Sequence, residues 1–301
     1  MRRFVALCLA GVSVLAGCSD GGADTGTADA ADTGDPAVSA DESGKVLDAW
    51  AERHNEAITS GDERLWRDTV AGALAAPVGA RVRTYGKMPG SAKISLHNPV
   101  LYVPRQEGYP KWFAAALLER SDGKEQQILA VFVQERAKDD WRAAHWLAFK
   151  GRPPELAYDS QGYAIPASGR DLPAAHAAYL TAGDESGLVP DQVSVKARAT
   201  ARGDWRTGPG RVTPGPGVPY ALRTKDGGSL VWYGLTQRQE LTGGSASRLP
   251  GELRDYLAKD GDDPEGTVQA MWQWLAIGYS PAAGKGRVLG ESVSLTSALV
   301  H

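Results

Sequence analysis

Residues 112–149 read WFAAALLERSDGKEQQILAVFVQERAKDDWRAAHWLAF, and the punctuation of this stretch decides the fold class. Three runs rich in aliphatic and aromatic residues, Trp112 to Glu119, Ile128 to Glu135 and Trp141 to Phe149, carry strand signals. Ser121-Asp122-Gly123-Lys124 between the first two is a hairpin turn, and Arg136 to Asp140 is a polar turn before the third. The stretch therefore predicts an antiparallel meander, preceded by a shorter strand around Lys93 to Asn98.

Reading outward toward the N-terminus, the period changes. Residues 46–60, VLDAWAERHNEAITS, place Val46, Leu47, Trp50, Ala51, Ala57 and Ile58 at helical spacing, which predicts a helix with one buried face. Gly61-Asp62 breaks it, and Asp62 caps a second helix running through Val70 or beyond, until Pro77 and Gly79 end it. Helices followed by a meander predict an α+β unit, with the helices packed on one face of a curved sheet.

Reading outward toward the C-terminus, the order restarts. Residues 151–172, GRPPELAYDSQGYAIPASGRDL, are rich in Pro, Gly and Ser and read as a connector. Pro173 to Ala182 is helical and stops at Gly183-Asp184. Strands follow at Pro219 to Thr224, Ser229 to Leu241, Thr267 to Tyr279 and Arg287 to Leu299, the first two joined by the turn Lys225-Asp226-Gly227-Gly228. Trp272 and Trp274 stand two apart and share a sheet face. The intervening stretch Gly203 to Pro219 holds four prolines and reads as an irregular crossing. The segment His54-Asn55-Glu56-Ala57-Ile58-Thr59-Ser60-Gly61-Asp62 matches His176-Ala177-Ala178-Tyr179-Leu180-Thr181-Ala182-Gly183-Asp184 at His, Thr, Gly and Asp. The expectation is two tandem halves, residues 45–150 and 173–301, each with N-terminal helices on a curved antiparallel sheet.

Helices followed by a bent meander resemble the nuclear-transport-factor-2-like, cone-shaped α+β fold in both halves. The segment His54 to Asp62, with Leu65 and Gly72, also resembles the opening of an uncharacterised family of actinobacterial lipoproteins. Asp226-Gly227-Gly228 followed by Leu230-Val231-Trp232-Tyr233 resembles that family's second half. These motifs are structural, and the resemblance implies no catalytic residue.

The N-terminus gives an address. Residues 1–17 combine Arg2 and Arg3 with an apolar run from Phe4 to Leu15, the pattern of a secretory leader. Leu15-Ala16-Gly17-Cys18 resembles the lipobox of bacterial lipoproteins. The resemblance implies cleavage before Cys18, a diacylglyceryl group on its thiol, and residence on the extracytoplasmic face of the cell membrane. Two acyl chains suffice for stable anchoring where one is marginal. The chain has two cysteines, Cys8 and Cys18. One leaves with the leader and the other becomes the anchor, so no disulfide is expected. Residues 18–44 then read as the lipidated Cys and a disordered acidic tether without aromatic residues. Removing leader and tether leaves 31 basic and 29 acidic residues in the body. That balance argues against a nucleic-acid binder, which needs a basic face.

The catalytic vocabulary is sparse. No pair among His54, His97, His145, His176 and His301 has the spacing of a helical zinc site. Gly278 to Gly286 departs from a phosphate loop in spacing and lacks its Ser or Thr. Ser121 and Lys124 match Ser-x-x-Lys on a hairpin tip rather than on one helical turn, and the Gly-x-Ser-x-Gly elbow is absent. An acid–base site inside a cone-shaped pocket would use His54 with Asp68, or His145 with Tyr85. The Trp residues on strands are expected mostly in the core, with an exposed pair able to line a binding groove. The reading that follows is a lipid-anchored, non-enzymatic envelope protein that binds a protein or small molecule and needs no cofactor. The alternative is a cone-fold enzyme with a pocket His/Asp pair.

Overall fold

The computed structural model describes residues 34–169, 171–198, 201–208, 210–261 and 266–301. The leader, Cys18 and the first part of the expected tether lie outside the described residues. The chain begins with β1 (Asp35–Pro36), α1 (Ala40–Ser60), α2 (Glu63–Thr69) and α3 (Gly72–Tyr85), followed by β2 (Ser95–Tyr102), β3 (Arg105–Gln106), β4 (Lys111–Ser121), β5 (Lys124–Gln134) and β6 (Arg142–Ala148). It continues through α4 (Asp171–Ala182), β7 (Leu188–Val189), α5 (Gln192–Ala197), β8 (Ala201–Arg202), β9 (Trp205–Thr207), β10 (Arg211–Pro214), β11 (Tyr220–Arg223) and β12 (Ser229–Thr242). The last elements are α6 (Gly251–Asp260), β13 (Thr267–Ser280) and β14 (Gly286–Val300).

The fold is α+β. One antiparallel sheet has the order β2-β4-β5-β6. A second, eight-stranded sheet runs β7-β14-β13-β12-β9-β8, with β10 and β11 also paired to β12. Its strands are antiparallel apart from the short parallel pairing of β7 with β14. The hairpin between β4 and β5 turns at Asp122 (φ 50°) and Gly123 (φ 71°), two left-handed residues, as the sequence predicts.

Side-chain alternation explains the layering. On β5, Ile128, Ala130 and Phe132 pack with Leu47 and Trp50 of α1. Leu129 and Val131, pointing the other way, pack with Leu230, Trp232, Leu275 and Ile277 of the second sheet. On β12, Val231, Tyr233 and Leu235 turn away from that shared core toward Leu172, Ala177 and Leu180 of α4. Leu253 and Leu257 of α6 cover Leu241 and Trp272 farther along. The sheets thus pack face to face with helices outside, and strands buried on both faces read as nearly continuous apolar runs.

Several expectations are corrected. Residues 35–44 are not a disordered tether. β1 pairs with β3, and Ala37 and Val38 are buried. Ser39 and Glu42 close a capping box at the start of α1. Asp41 and Glu42, which read as tail charge, sit in the first helical turn, where the helix dipole favours anions. Pro77 and Gly79 do not end a helix but lie within α3. Pro77 is buried there with Ala73 and Ala80, so packing of that face outweighs one lost backbone hydrogen bond. α3 lies against β12 so closely that a Cβ on Gly234 would come within 2.7 Å of the Ala73 Cβ. β2 runs past Asn98, which takes φ 51° at a register shift between His97 and Val100 and carries Pro99 through the strand. The stretch Gly203 to Pro219 contributes β9 and β10, both paired to β12. The connector is pinned to the second sheet by bridges from Leu156 to Thr224 and from Pro166 to Leu222. The helices α5 and α6 were not predicted.

Candidate functional site

α1 and α3 each turn one helical stripe toward a common space. Trp50, His54 and Ile58 come from α1, and Leu74, Pro77, Val78, Arg81 and Tyr85 from α3. With Trp66 of α2 they roof a cleft of about 690 Å³. Its opposite wall is shared by the two sheets: Glu119, Gln126 and Trp146 from the first, Leu275, Ser292 and Ser294 from the second. The cleft therefore exists only because α3 spans both sheets. Its volume falls in the range of small-molecule sites.

The aromatic groups form a stack. Trp50 lies parallel to His54 at 4.8 Å and to Trp146 at 4.6 Å between centroids, while Trp66 meets His54 edge-on at 5.0 Å. The Trp50 indole N–H donates to the Thr69 carbonyl at 2.8 Å, fixing the stack to the end of α2. Among the described residues the buried His54 Nδ1 and Trp66 Nε1 have no hydrogen-bond partner. Burial, followed by the Arg81 charge, pushes His54 down to about 4, so the imidazole is neutral. At the wall, the Glu119 carboxylate accepts from Trp146 Nε1 at 2.7 Å and from Gln126 Nε2 at 2.8 Å. Glu252 of α6 also lines the cleft, and burial raises its carboxyl.

The structure divides the four sequence candidates. His54 and Tyr85 line this cleft. Asp68 is exposed on α2 and lines neither this cleft nor the pocket described next, so it is not His54's partner there. His145 is separated from Tyr85. It is buried on β6 beside a pocket of about 290 Å³ formed with the Pro214–Tyr220 loop, Gly72 and Tyr233. Burial drives its imidazole down to about 3, and its ring meets Tyr220 edge-on at 6.0 Å.

His176, read only as a helix residue, sits in a sealed polar network. Its Nδ1 lies 3.0 Å from the Tyr233 hydroxyl and its Nε2 2.8 Å from Ser194 Oγ. Ser194 donates to Glu291 Oε1 at 2.7 Å, and Glu291 Oε2 is 3.3 Å from the same Nε2. Ser, His and an acid are therefore together, but in the wrong order for nucleophilic relay. Serine and carboxylate share one ring nitrogen, whereas a relay needs the carboxylate on the other. The His176 and Glu291 side chains are wholly inaccessible. Burial and the adjoining Asp191 carboxylate push Glu291 up to about 9, and burial lowers His176 to about 4. Both groups are thus neutral at pH 7, as a closed core requires. The network fastens α4 and α5 to β12 and β14.

Neither Glu119 nor the network was named from sequence. For Glu119 a signal existed: Phe113, Ala115, Leu117 and Glu119 alternate along β4 on the helix-facing side, so a carboxylate ends an apolar row. For the network there was none, since Ser194 and Glu291 stand 18 and 97 residues from their partners His176 and Ser194.

Among the described residues no group of three or more His, Cys, Asp or Glu is placed to hold a metal ion, and no helix is long and apolar enough to cross a membrane. No solved structure matches the chain. It is similar to uncharacterised lipoproteins. One from Streptomyces coelicolor is 28% identical over 285 residues, covering 87% of this chain and 86% of the relative. One from Streptomyces avermitilis is 24% identical over 274 residues, covering 83% and 81%. A second from Streptomyces coelicolor is 30% identical over 274 residues, covering 78% and 75%. The family model described as a domain of unknown function, DUF8094, matches residues 34–299, which is nearly all of the described fold, and the chain belongs to that family.

Proposed function

We propose that this chain is a lipid-anchored binding protein of the cell envelope, held on the extracytoplasmic face of the membrane through a diacylglyceryl group on Cys18, and that it binds a small molecule in the cleft between α1, α3 and the two sheets. The observation that carries the binding reading is the cleft itself, a space of about 690 Å³ lined by the aromatic stack of Trp50, His54 and Trp146 and by the Glu119 carboxylate. A concave, largely apolar space with a few polar groups is the usual form of a small-molecule site. Acid–base chemistry is the weaker reading, because among the described residues no carboxylate is bonded to His54, and burial lowers its imidazole to about 4, a weak base at neutral pH. The leader, the Leu15-Ala16-Gly17-Cys18 sequence and the lipoprotein relatives support the anchor. The His, Thr, Gly and Asp shared by residues 54–62 and 176–184 support two cone-like halves related by duplication.

Two measurements test this. Cys18→Ala moves the protein from the membrane to the soluble fraction and abolishes labelling by radioactive palmitate; retention at the membrane overturns the anchor. Native mass spectrometry of the full chain, extracted in mild detergent, shows an added mass that leaves on gentle activation and is missing from Val78→Trp, which fills the cleft. An added mass that persists in Val78→Trp removes the cleft as its site.

A further inference from the structure

Resting on the cleft as a binding site, we infer that its ligand is an organic cation, an amine or quaternary ammonium group joined to an apolar body, with Glu119 as counter-ion and Trp146 as the aromatic face. Glu119 is 9% exposed, and among the described residues its two donors, the Trp146 indole and the Gln126 amide, are neutral. Each carboxylate oxygen engages one of them and keeps a lone pair in reserve. The negative charge at this wall is therefore held in place without being neutralised. The carboxylate's remaining lone pairs offer an ammonium group charge-assisted hydrogen bonds.

The surroundings complete the preference. One face of Trp146 is covered by Trp50, and the partly buried residue lines the cleft beside the carboxylate that its N–H holds. An ammonium group against that ring gains cation–π attraction in addition to its ion pair. His54 does not oppose it, because the imidazole is neutral. Arg81, the cation among the lining residues, acts on His54, Tyr85 and Glu252, and the Glu252 carboxyl lines the same cleft as a second acid. Ile58, Val78, Val82, Met88 and Leu275 supply apolar lining for the ligand's body.

The test uses three ligands with one skeleton: 3-phenylpropylammonium, 3-phenylpropanol and 3-phenylpropionate. Each is titrated calorimetrically into the full-length protein in non-ionic detergent. The amine is expected to bind roughly tenfold or more tightly than the alcohol, and the carboxylate more weakly than either. The amine's advantage shrinks with added salt. Glu119→Gln removes that advantage and leaves alcohol binding in place. Equal affinity for amine and alcohol in the unaltered protein overturns the cation assignment while leaving the cleft as a binding site. A tenfold preference that survives Glu119→Gln overturns the role of Glu119. Failure of all three to bind also overturns the cation assignment, and the Val78→Trp mass comparison then judges the cleft separately. The ligand series in the unaltered protein needs no variant to fold.

Discussion

In the first half of the molecule His54 stands on α1 eight residues before an aspartate that caps the next helix; in the second, His176 stands on α4 eight residues before an aspartate that shapes the next turn. Both helices end alike. Gly61 (φ 71°) donates its N–H to the Ala57 carbonyl, and Gly183 (φ 79°) donates to Tyr179. Beyond these shared ends the two histidines diverge. His54 lies between indole rings with Nδ1 unpartnered among the described residues, at the wall of a cleft. His176 has both ring nitrogens engaged and no exposed surface. Similar local sequences thus supply an open site where α3 roofs a cleft over both sheets, and a structural fastening where α5 brings Ser194 onto the ring. The difference teaches that a histidine's role here is set by what packs above the helix rather than by the helix.

The contrast can be broken by truncation. His176→Ala should destabilise the protein by about 3 kcal/mol or more, since it strands Ser194, Tyr233 and Glu291 in the core. His54→Ala should cost only about 1 kcal/mol, chiefly lost ring contact. Urea denaturation of the two variants measures this, and equal losses would mean that the two sites are built alike.

The pH dependence sharpens it. Glu291 titrates at about 9 in the fold against its usual 4.5, so the folded state holds a proton that the unfolded chain releases. That contribution is fully present below about 4.5 and is lost as pH rises toward 9. His54, His145 and His176 are depressed to about 4, 3 and 4 from their usual 6.5, so their contribution is present above 6.5 and is lost as pH falls through those values. Melting temperature should therefore decline in both directions from about pH 6.5. Glu291→Gln should flatten the alkaline limb alone. A variant that keeps the full alkaline decline would show that Glu291 does not carry the buried proton.

Smaller effects probe the shared helix ends. Gly61→Ala and Gly183→Ala should each cost about 1 kcal/mol because φ is positive at both. Gly61 should be the more sensitive. A Cβ there meets the Lys87 backbone nitrogen at 2.8 Å, whereas at Gly183 it meets the movable Arg198 side chain. Thermal melts that rank them in reverse would show that Arg198 cannot move aside. The aspartates follow, with the smallest effect at Asp184. Asp62→Ala removes the cap of α2, held by the Arg64 N–H at 2.7 Å, and should cost about 1 kcal/mol. Asp184→Ala should cost less, because its partner Ser186 lies in an exposed turn.

Much of the fold was legible because strands and helices impose different periods. The meander of β4, β5 and β6 and the long strands β12, β13 and β14 stand within a few residues of where apolar runs and Gly turns predict them. Two kinds of element were not. α6 carries Leu253, Tyr256 and Leu257 at helical spacing, but its stretch is too short and polar for the period to stand out. The start of α1 was misread because Asp41 and Glu42 carry the composition of a solvated tail and the position of a helix cap. In the candidate site, His54 and Tyr85 were named and Glu119 was not. A charge at the end of an alternating row has meaning only once the row is known to face a helix.

Residues close in sequence decided the elements: the helix ends at Gly61 and Gly183, the turn at Asp122-Gly123, and the alternation along β4 and β5. These follow from steric limits on the backbone and from the two side-chain periods, and the chain needs no partner to express them. The tertiary structure alone decided that α3 would continue through Pro77 and span both sheets, that Asp68 would stay outside while Glu119 came in, and that His176, Ser194 and Glu291 would meet. The physical reason is that a cleft or a buried network belongs to no single element. It is the space, or the set of polar contacts, left when the large apolar faces of several elements have been buried against one another.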